Sequence, residues 1–424
     1  MNQWLVKNKS VVNTFLFVLA YGVFFTILQV FLHQRDMAKL VPTAQILSTY
    51  DAGWYKEIAE KGYIYTEGKA SNSAFYPLLP LIWRWFHLGP WGMSFFNLVF
   101  FAAGIAVFSR VYKSSMAEKF IIVSVPSLYF CFIPYTEALF ILLMSLVFLA
   151  MKENRKYLLW VSLFLLSLSR PISMILLPAY LITEVITNRR QDFLKGLGSF
   201  FVKYGLPMIL AQALFIYYQY YETGEWFAFF RQEENWGHVF AWPTFPLNNM
   251  YGPRLLWIDA LAIFIGCISL LFLIQRGWNW LWKNRPAPDK ILTVSFLYLT
   301  GIMFVTLLFN PIWGTWTTNI YDIHRYAFCT PFFLVFLHHF AFNRKYKVGD
   351  YFIVVLLSNA CWLMMGSYLH IMHVVYFQFC TGFIILYMLL SEKKLTWPPL
   401  AVAALNVLMQ VWMYQFFLEG HYPG

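Results

Sequence analysis

The chain has 424 residues, of which 60% are hydrophobic, 21% aromatic and only 12% charged, and its formal net charge is +11. Soluble globular domains carry about 25% charged residues, so this composition, with a mean hydropathy of +0.57, excludes an ordinary water-soluble fold and implies an all-α, polytopic transmembrane helical bundle. The positive balance does not call for nucleic acid, because the basic residues fall in short clusters between apolar runs and form no continuous stripe.

In chain order, Lys7 and Lys9 precede an apolar run over 12–33. It resembles a signal anchor, but no small-residue cleavage site follows, so it is kept as the first span. About 20 largely apolar residues cross the hydrocarbon core. Further spans are expected at 91–109, 119–133, 135–151, 158–169, 172–187, 199–221, 256–275, 291–309, 326–341, 350–369, 372–390 and 398–417, about thirteen in all when short or incomplete spans count. Within 119–151 and 158–187 each pair should be joined by a tight turn, at Ile133-Pro134-Tyr135 and at Ser169-Arg170-Pro171, since proline disfavours continuing a helix. The whole chain, residues 1–424, reads as one membrane domain.

Basic residues are retained on the cytoplasmic side. Alternate loops, running from Lys7 to Lys394 and including Arg189, Arg190, Arg285 and Lys393, hold 21 of the 31 Lys and Arg residues. The expected topology therefore has a cytoplasmic N-terminus, with the loops 34–90, 222–255 and 310–325 facing the periplasm of a bacterial inner membrane, or the lumen of a eukaryotic ER membrane. The carboxylates of Asp51, Glu137 and Asp322 fall on that outer side. No P-loop, GxGxxG, HExxH or GxSxG motif occurs. Outer-side topology without a nucleotide-binding motif favours chemistry on membrane-borne substrates. Cys131, Cys267, Cys329, Cys361 and Cys380 lie in or beside apolar stretches without metal-ligand spacing; they read as small buried hydrophobes, and no metal is expected.

Four outer-face constellations stand out. Asp51 opens a helix-compatible stretch over 52–62, in which Trp54, Ile58 and Lys61 share one face and Lys56, Glu57 and Glu60 another. That patterning predicts an amphipathic helix lying in the membrane interface. The Asp51 carboxylate is a candidate general base at a cavity mouth; simple N-capping of the helix is the plain alternative. Phe75 through Trp85, interrupted by Pro77 and Pro80, is too short for a span and reads as a re-entrant or interfacial wall. Arg170 interrupts an apolar stretch, so it binds phosphate through its fork of donors, snorkels to water or pairs with Glu137. Asp322-Ile323-His324-Arg325-Tyr326 offers two cations for an anionic leaving group, against a plain Asp322–Arg325 salt bridge. Finally, Gly224 to His238 is rich in aromatics and amides suited to sugar, though an interfacial helix explains the same residues.

Asp51-Ala52-Gly53-Trp54-Tyr55 with Ile58-Ala59 and Gly62-Tyr63, then Ala74-Phe75-Tyr76-Pro77-Leu78-Leu79-Pro80, then Thr223-Gly224-Glu225 through Gln232 and Trp236, and His324-Arg325-Tyr326 occur in that order. Together they resemble the GPI mannosyltransferase II (PIG-V) family and its bacterial relatives in the GT-C superfamily of membrane glycosyltransferases. The likeness is specific over 50–80, less so over 223–238; Tyr50 stands where the family pattern leads one to expect tryptophan. The resemblance implies an inverting transfer of a sugar, usually mannose, from a polyprenyl- or dolichyl-phosphate donor to a lipid or glycan acceptor. No cofactor is implied and no divalent metal is expected. Asp51 would be the catalytic base; Arg325, His324 and Arg170 would bind the donor phosphate; Trp54, Tyr55, Tyr76, Gln232 and Trp236 would contact substrate. A flippase or small-molecule transporter is the alternative class, although no inverted repeat is visible.

Overall fold

The computed structural model describes residues 2–171, 173–187, 193–283, 289–310, 317–392 and 394–421. Arg189, Arg190, Arg285 and Lys393 of the predicted basic loops, and 311–316 of the loop 310–325, lie outside the described residues. Within them the protein is helical, with no strand and only two isolated bridges, Leu247 to Met365 and Asn248 to Asn319.

The first half contains α1 (Asn2–Gln34), α2 (Asp51–Lys61), α3 (Leu78–Phe86), α4 (Pro90–Val111), α5 (Met116–Val123), a 3₁₀ helix (Pro126–Phe132), α6 (Glu137–Glu153), α7 (Lys156–Ser167) and α8 (Ser173–Thr187). It is followed by α9 (Phe193–Phe200), a π turn (Phe201–Gly205), α10 (Leu206–Thr223) and α11 (Ala228–Asn235). The second half contains α12 (Pro253–Lys283), α13 (Lys290–Phe309), α14 (Ile323–Phe328), α15 (Pro331–Leu337) with a π turn (His338–Phe342), α16 (Val348–Trp362), α17 (Ile371–Leu389) and α18 (Pro398–Leu418).

Among the described residues seven helices are long and apolar enough to cross a membrane, or eight if the 3₁₀ helix and α6, which meet at 100°, form one broken span. The expectation of about thirteen is thus an overcount. Lys156–Ser167, Met174–Thr187, Pro331–Phe342 and Val348–Trp362 are apolar helices of 10–17 residues, shorter than the roughly 20 residues a crossing needs. The predicted turns are present: chain direction changes at Ile133–Pro134, and α7 ends before Ser169-Arg170-Pro171.

The core sits between α1, α4, α6 and the 3₁₀ helix on one side and α12 to α15 on the other. Close packing of α4 on α6 depends on Gly104, where an added Cβ would lie 2.9 Å from the Leu142 backbone nitrogen. The cysteines pack as expected: Cys131, Cys329, Cys361 and Cys380 are buried and Cys267 is half-buried.

The first loop forms its helix as predicted, one residue earlier, but with a different buried face. Ala52, Tyr55, Ile58 and Ala59 point inward, while Trp54 is half-buried and Lys61 is exposed. The small residues Ala52 and Ala59 let α2 dock against protein, so the interior face is set by close approach and not by the apolar stripe alone. Gly62 ends the helix at φ +85°, donating its N–H to Ile58 O at 3.0 Å. Arg84 on α3 donates Nε to Ala59 O and Nη2 to Ile58 O, both at 2.7 Å; a cation is favoured at these open carbonyls. The predicted wall after Phe75 forms α3, whose Trp85 and Phe86 are exposed.

Candidate functional site

Two short helices deliver the charged groups, and each starts from a non-glycine residue in a strained backbone region. Tyr50, at φ 54°, precedes α2; Asp322, at φ 72°, precedes α14. Such conformations cost roughly 1–3 kcal/mol and persist where the surroundings impose them. Here they aim Asp51 from one side and His324 and Arg325 from the other. Asp51 occupies the first helical position of α2, with Tyr50 as the N-cap residue, so the capping position proposed for it belongs to its neighbour.

The groups converge. Asp51 Oδ2 lies 2.7 Å from Arg325 Nη1. Arg325 also donates Nε to Glu137 Oε1, and Arg170 Nη2 lies 3.2 Å from that same oxygen. Glu137, Arg170 and Arg325 are at most 3% exposed, whereas Asp51 keeps 18% exposure at the rim. A carboxylate and a guanidinium this deep are tolerated only when paired, and the two acids match the two bases in formal charge. Glu137 stands in the first turn of α6, where the helix dipole favours an anion. The cations also lie on ring faces: Arg325 is 4.6 Å from the Tyr135 centroid and 5.1 Å from Phe130. Arg170 is 4.8 Å from Tyr326. Arg170 therefore takes the predicted partner, Glu137, and does not snorkel to water.

His324 is fully buried beside a second carboxylate. Its Nδ1 is 2.7 Å from Asp259 Oδ1, its backbone N–H donates to the same oxygen at 3.1 Å, and Asn249 Nδ2 donates to Asp259 Oδ2 at 2.6 Å. With Nδ1 donating to a carboxylate, neutral imidazole presents its lone pair at Nε2. That atom has no hydrogen-bond partner among the described residues, nor has Glu137 Oε2.

The aromatic and amide candidates divide. Tyr55 is buried in the field of Asp51, Arg325 and Glu137, and burial raises its hydroxyl pKa. Trp54 stacks on Phe75 at 6.1 Å, and Trp236 meets both rings edge-on at 5.8 and 6.0 Å. These half-buried rings form an aromatic shelf one turn along α2 from Asp51. Tyr76 is buried apart from this group, donating to Gln212 Oε1 at 2.9 Å. Gln232 accepts from Ser71 N–H at 2.9 Å and donates to Thr66 O at 3.1 Å. Its amide ties down the 64–73 loop and is already engaged by protein on both sides.

In the sequence Glu137 stands out only as an outer-side carboxylate and a partner for Arg170, and Asp259 does not stand out, although it is the only charged residue in the apolar run 255–275. An acid alone in such a run marks a site on grounds of burial. Among the described residues no group of three or more His, Cys, Asp or Glu side chains converges to hold a metal ion. No family model matches the chain, and neither a curated protein nor a solved structure matches it.

Proposed function

We propose that the chain is an inverting glycosyltransferase akin to the GPI mannosyltransferase II family. It moves a hexose, mannose by that kinship, from a polyprenyl- or dolichyl-phosphate sugar to a membrane-associated glycan or glycolipid acceptor at the face bearing α2. The observation that carries this reading is the meeting of a rim carboxylate, Asp51, with a buried guanidinium, Arg325, at 2.7 Å.

An acceptor hydroxyl is a poor nucleophile, so Asp51 takes its proton as the hydroxyl oxygen bonds to the anomeric carbon from the face opposite the phosphate. General base catalysis of this kind is worth about 10²–10⁴-fold. The bond between the anomeric carbon and the phosphate oxygen breaks, and the lipid phosphate leaves with the electron pair. Arg325 supplies fixed donors to that phosphate, with His324 preceding that arginine on α14. The phosphate displaces Asp51 from Arg325 Nη1, so the base is released to the acceptor as the donor seats. Glu137 holds Arg325 in place from behind, and Arg170 in turn pairs with Glu137. The shelf of Trp54, Phe75 and Trp236 offers apolar ring faces to the sugar.

The test is transfer of radiolabel from polyprenyl-phosphate mannose to a membrane lipid extract by the purified protein in proteoliposomes. Label in a new acid-stable lipid or glycan supports the reading. Movement of intact donor across the bilayer without any glycosylated product favours the transport alternative.

A further inference from the structure

Away from the ionic cluster, four helix ends meet around a second cavity, of about 250 Å³. Lys39 follows α1, Arg254 stands in the first turn of α12 and Tyr376 in the second turn of α17, while Trp412, Gln415 and Glu419 close the cavity from the end of α18. The side formed by α1 and α18 is tied together. Gln415 accepts from the Leu40 N–H at 3.4 Å and donates to Leu40 O at 3.0 Å, and Lys39 Nζ pairs with Glu419 Oε2 at 3.1 Å. The one carboxylate is thereby answered.

Arg254 is not. It is exposed and, among the described residues, has neither a hydrogen bond nor an ion pair. A cation in the first turn of a helix also faces the positive end of the helix dipole, so α12 itself gives no reason for an arginine there. Hydration would serve an exposed guanidinium, but it does not account for the aromatic wall opposite. Tyr376 and Trp412 are exposed, and such amphipathic rings settle at headgroup level. Phe379 and Leu408, one turn deeper on α17 and α18, are exposed as well. Trp257, one turn along α12 from Arg254, lies 6.2 Å from Phe379 and 6.5 Å from Trp412 between ring centroids. A polar cavity thus opens onto an apolar seam that descends between helices.

We propose that this cavity binds the phosphate of an anionic membrane phospholipid. Arg254 clasps the phosphate through its planar fork of donors, Lys39 shares it at the rim, and an acyl chain descends past Phe379 and Leu408. Two cations against one paired carboxylate leave the cavity positive, so a headgroup of net negative charge such as phosphatidylglycerol is favoured over choline, whose own cation is repelled. Free phosphate would use the same donors but leave the seam unused. The bound lipid lies beside Gly420, whose carbonyl accepts from the Tyr50 hydroxyl, next to the residue that precedes Asp51. The site does not depend on the transferase reading.

Titration of the delipidated protein in non-ionic detergent with phosphatidylglycerol, phosphatidylcholine and inorganic phosphate, read by native mass spectrometry, tests this. The first phosphatidylglycerol should bind about tenfold or more tightly than phosphatidylcholine, the worth of a hydrogen bond to a charged group. Arg254→Gln should erase that ratio. Arg276→Gln, at an exposed cation towards the other end of α12, should keep it. Inorganic phosphate at equal concentration should leave the lipid bound. If Arg254→Gln does not fold, phosphatidylglycerol with a photoreactive acyl chain, applied to the wild type, should label α17 and α18 around Phe379 and Leu408. Equal ratios in the two variants, or labels confined to other helices, would overturn the proposal. Displacement by equimolar phosphate would assign the cavity to a free anion and overturn the lipid as its occupant.

Discussion

Asp51 Oδ2 and Arg325 Nη1 lie 2.7 Å apart, while Arg325 Nε is held by Glu137. Two carboxylates thus occupy different nitrogens of one planar cation. A lysine ammonium is a single point of charge on a flexible stem and does not reproduce that fork. Arg325→Lys should therefore lower sugar transfer by about 10²-fold or more, as losing a preorganised donor does, and should be no better than Arg325→Gln. Initial rates at saturating donor check this.

Glu137 answers two buried guanidiniums at once. Removing one partner of a buried ion pair costs about 3–5 kcal/mol because the remaining charge is left uncompensated. Glu137→Ala should lower the unfolding temperature in detergent far more than Asp51→Asn, whose carboxylate is partly exposed at the rim. Thermal unfolding followed by tryptophan fluorescence distinguishes the two.

The short helix α11 carries a titratable group with a displaced pKa. Burial raises the Glu233 carboxyl from 4.5 to about 7, so between those values the folded protein binds more protons than the unfolded chain. Stability therefore falls as pH rises through that window, and the contribution is fully present only below it. The difference in unfolding temperature between wild type and Glu233→Gln should drift with pH from 4.5 to 7, with the wild type losing ground as pH rises, and be flat outside that range.

Gln232 offers a way to separate scaffolding from sugar contact. Its amide holds Ser71 and Thr66, and losing a buried hydrogen-bond partner costs about 1–3 kcal/mol. Gln232→Ala should speed trypsin cleavage after Lys69 by roughly 5- to 160-fold through local opening of the 64–73 loop. A change in donor affinity with unaltered cleavage would assign the amide to substrate instead.

Much of the bundle could be read from the chain because apolar run length and proline punctuation act locally. α1, α4, the run from α9 through α10, α12, α13, α17 and α18 overlap predicted spans. The count failed at short apolar helices: α7 and α16 are as apolar as spans but too short to be ones. At the site, Asp51, Arg170, His324 and Arg325 stood out because ionisable residues beside apolar runs are expensive. Their convergence was not visible, since α2, α6 and α14 are far apart in sequence and meet only through tertiary packing. Asp259 was masked by its surroundings: one acid in a long apolar helix barely alters a hydropathy profile, yet it fixes the orientation of His324. Gln232 misled for the opposite reason, because an amide that binds sugar and one that ties down a loop look alike in sequence.

The most direct measurement is the single-turnover rate of sugar transfer by Asp51→Asn beside wild type, each shown to be folded and to bind polyprenyl phosphate. If Asp51 is the base, the variant should keep donor binding and lose about 10²–10⁴-fold in rate. Transfer at the wild-type rate by the folded, donor-bound variant would contradict the account.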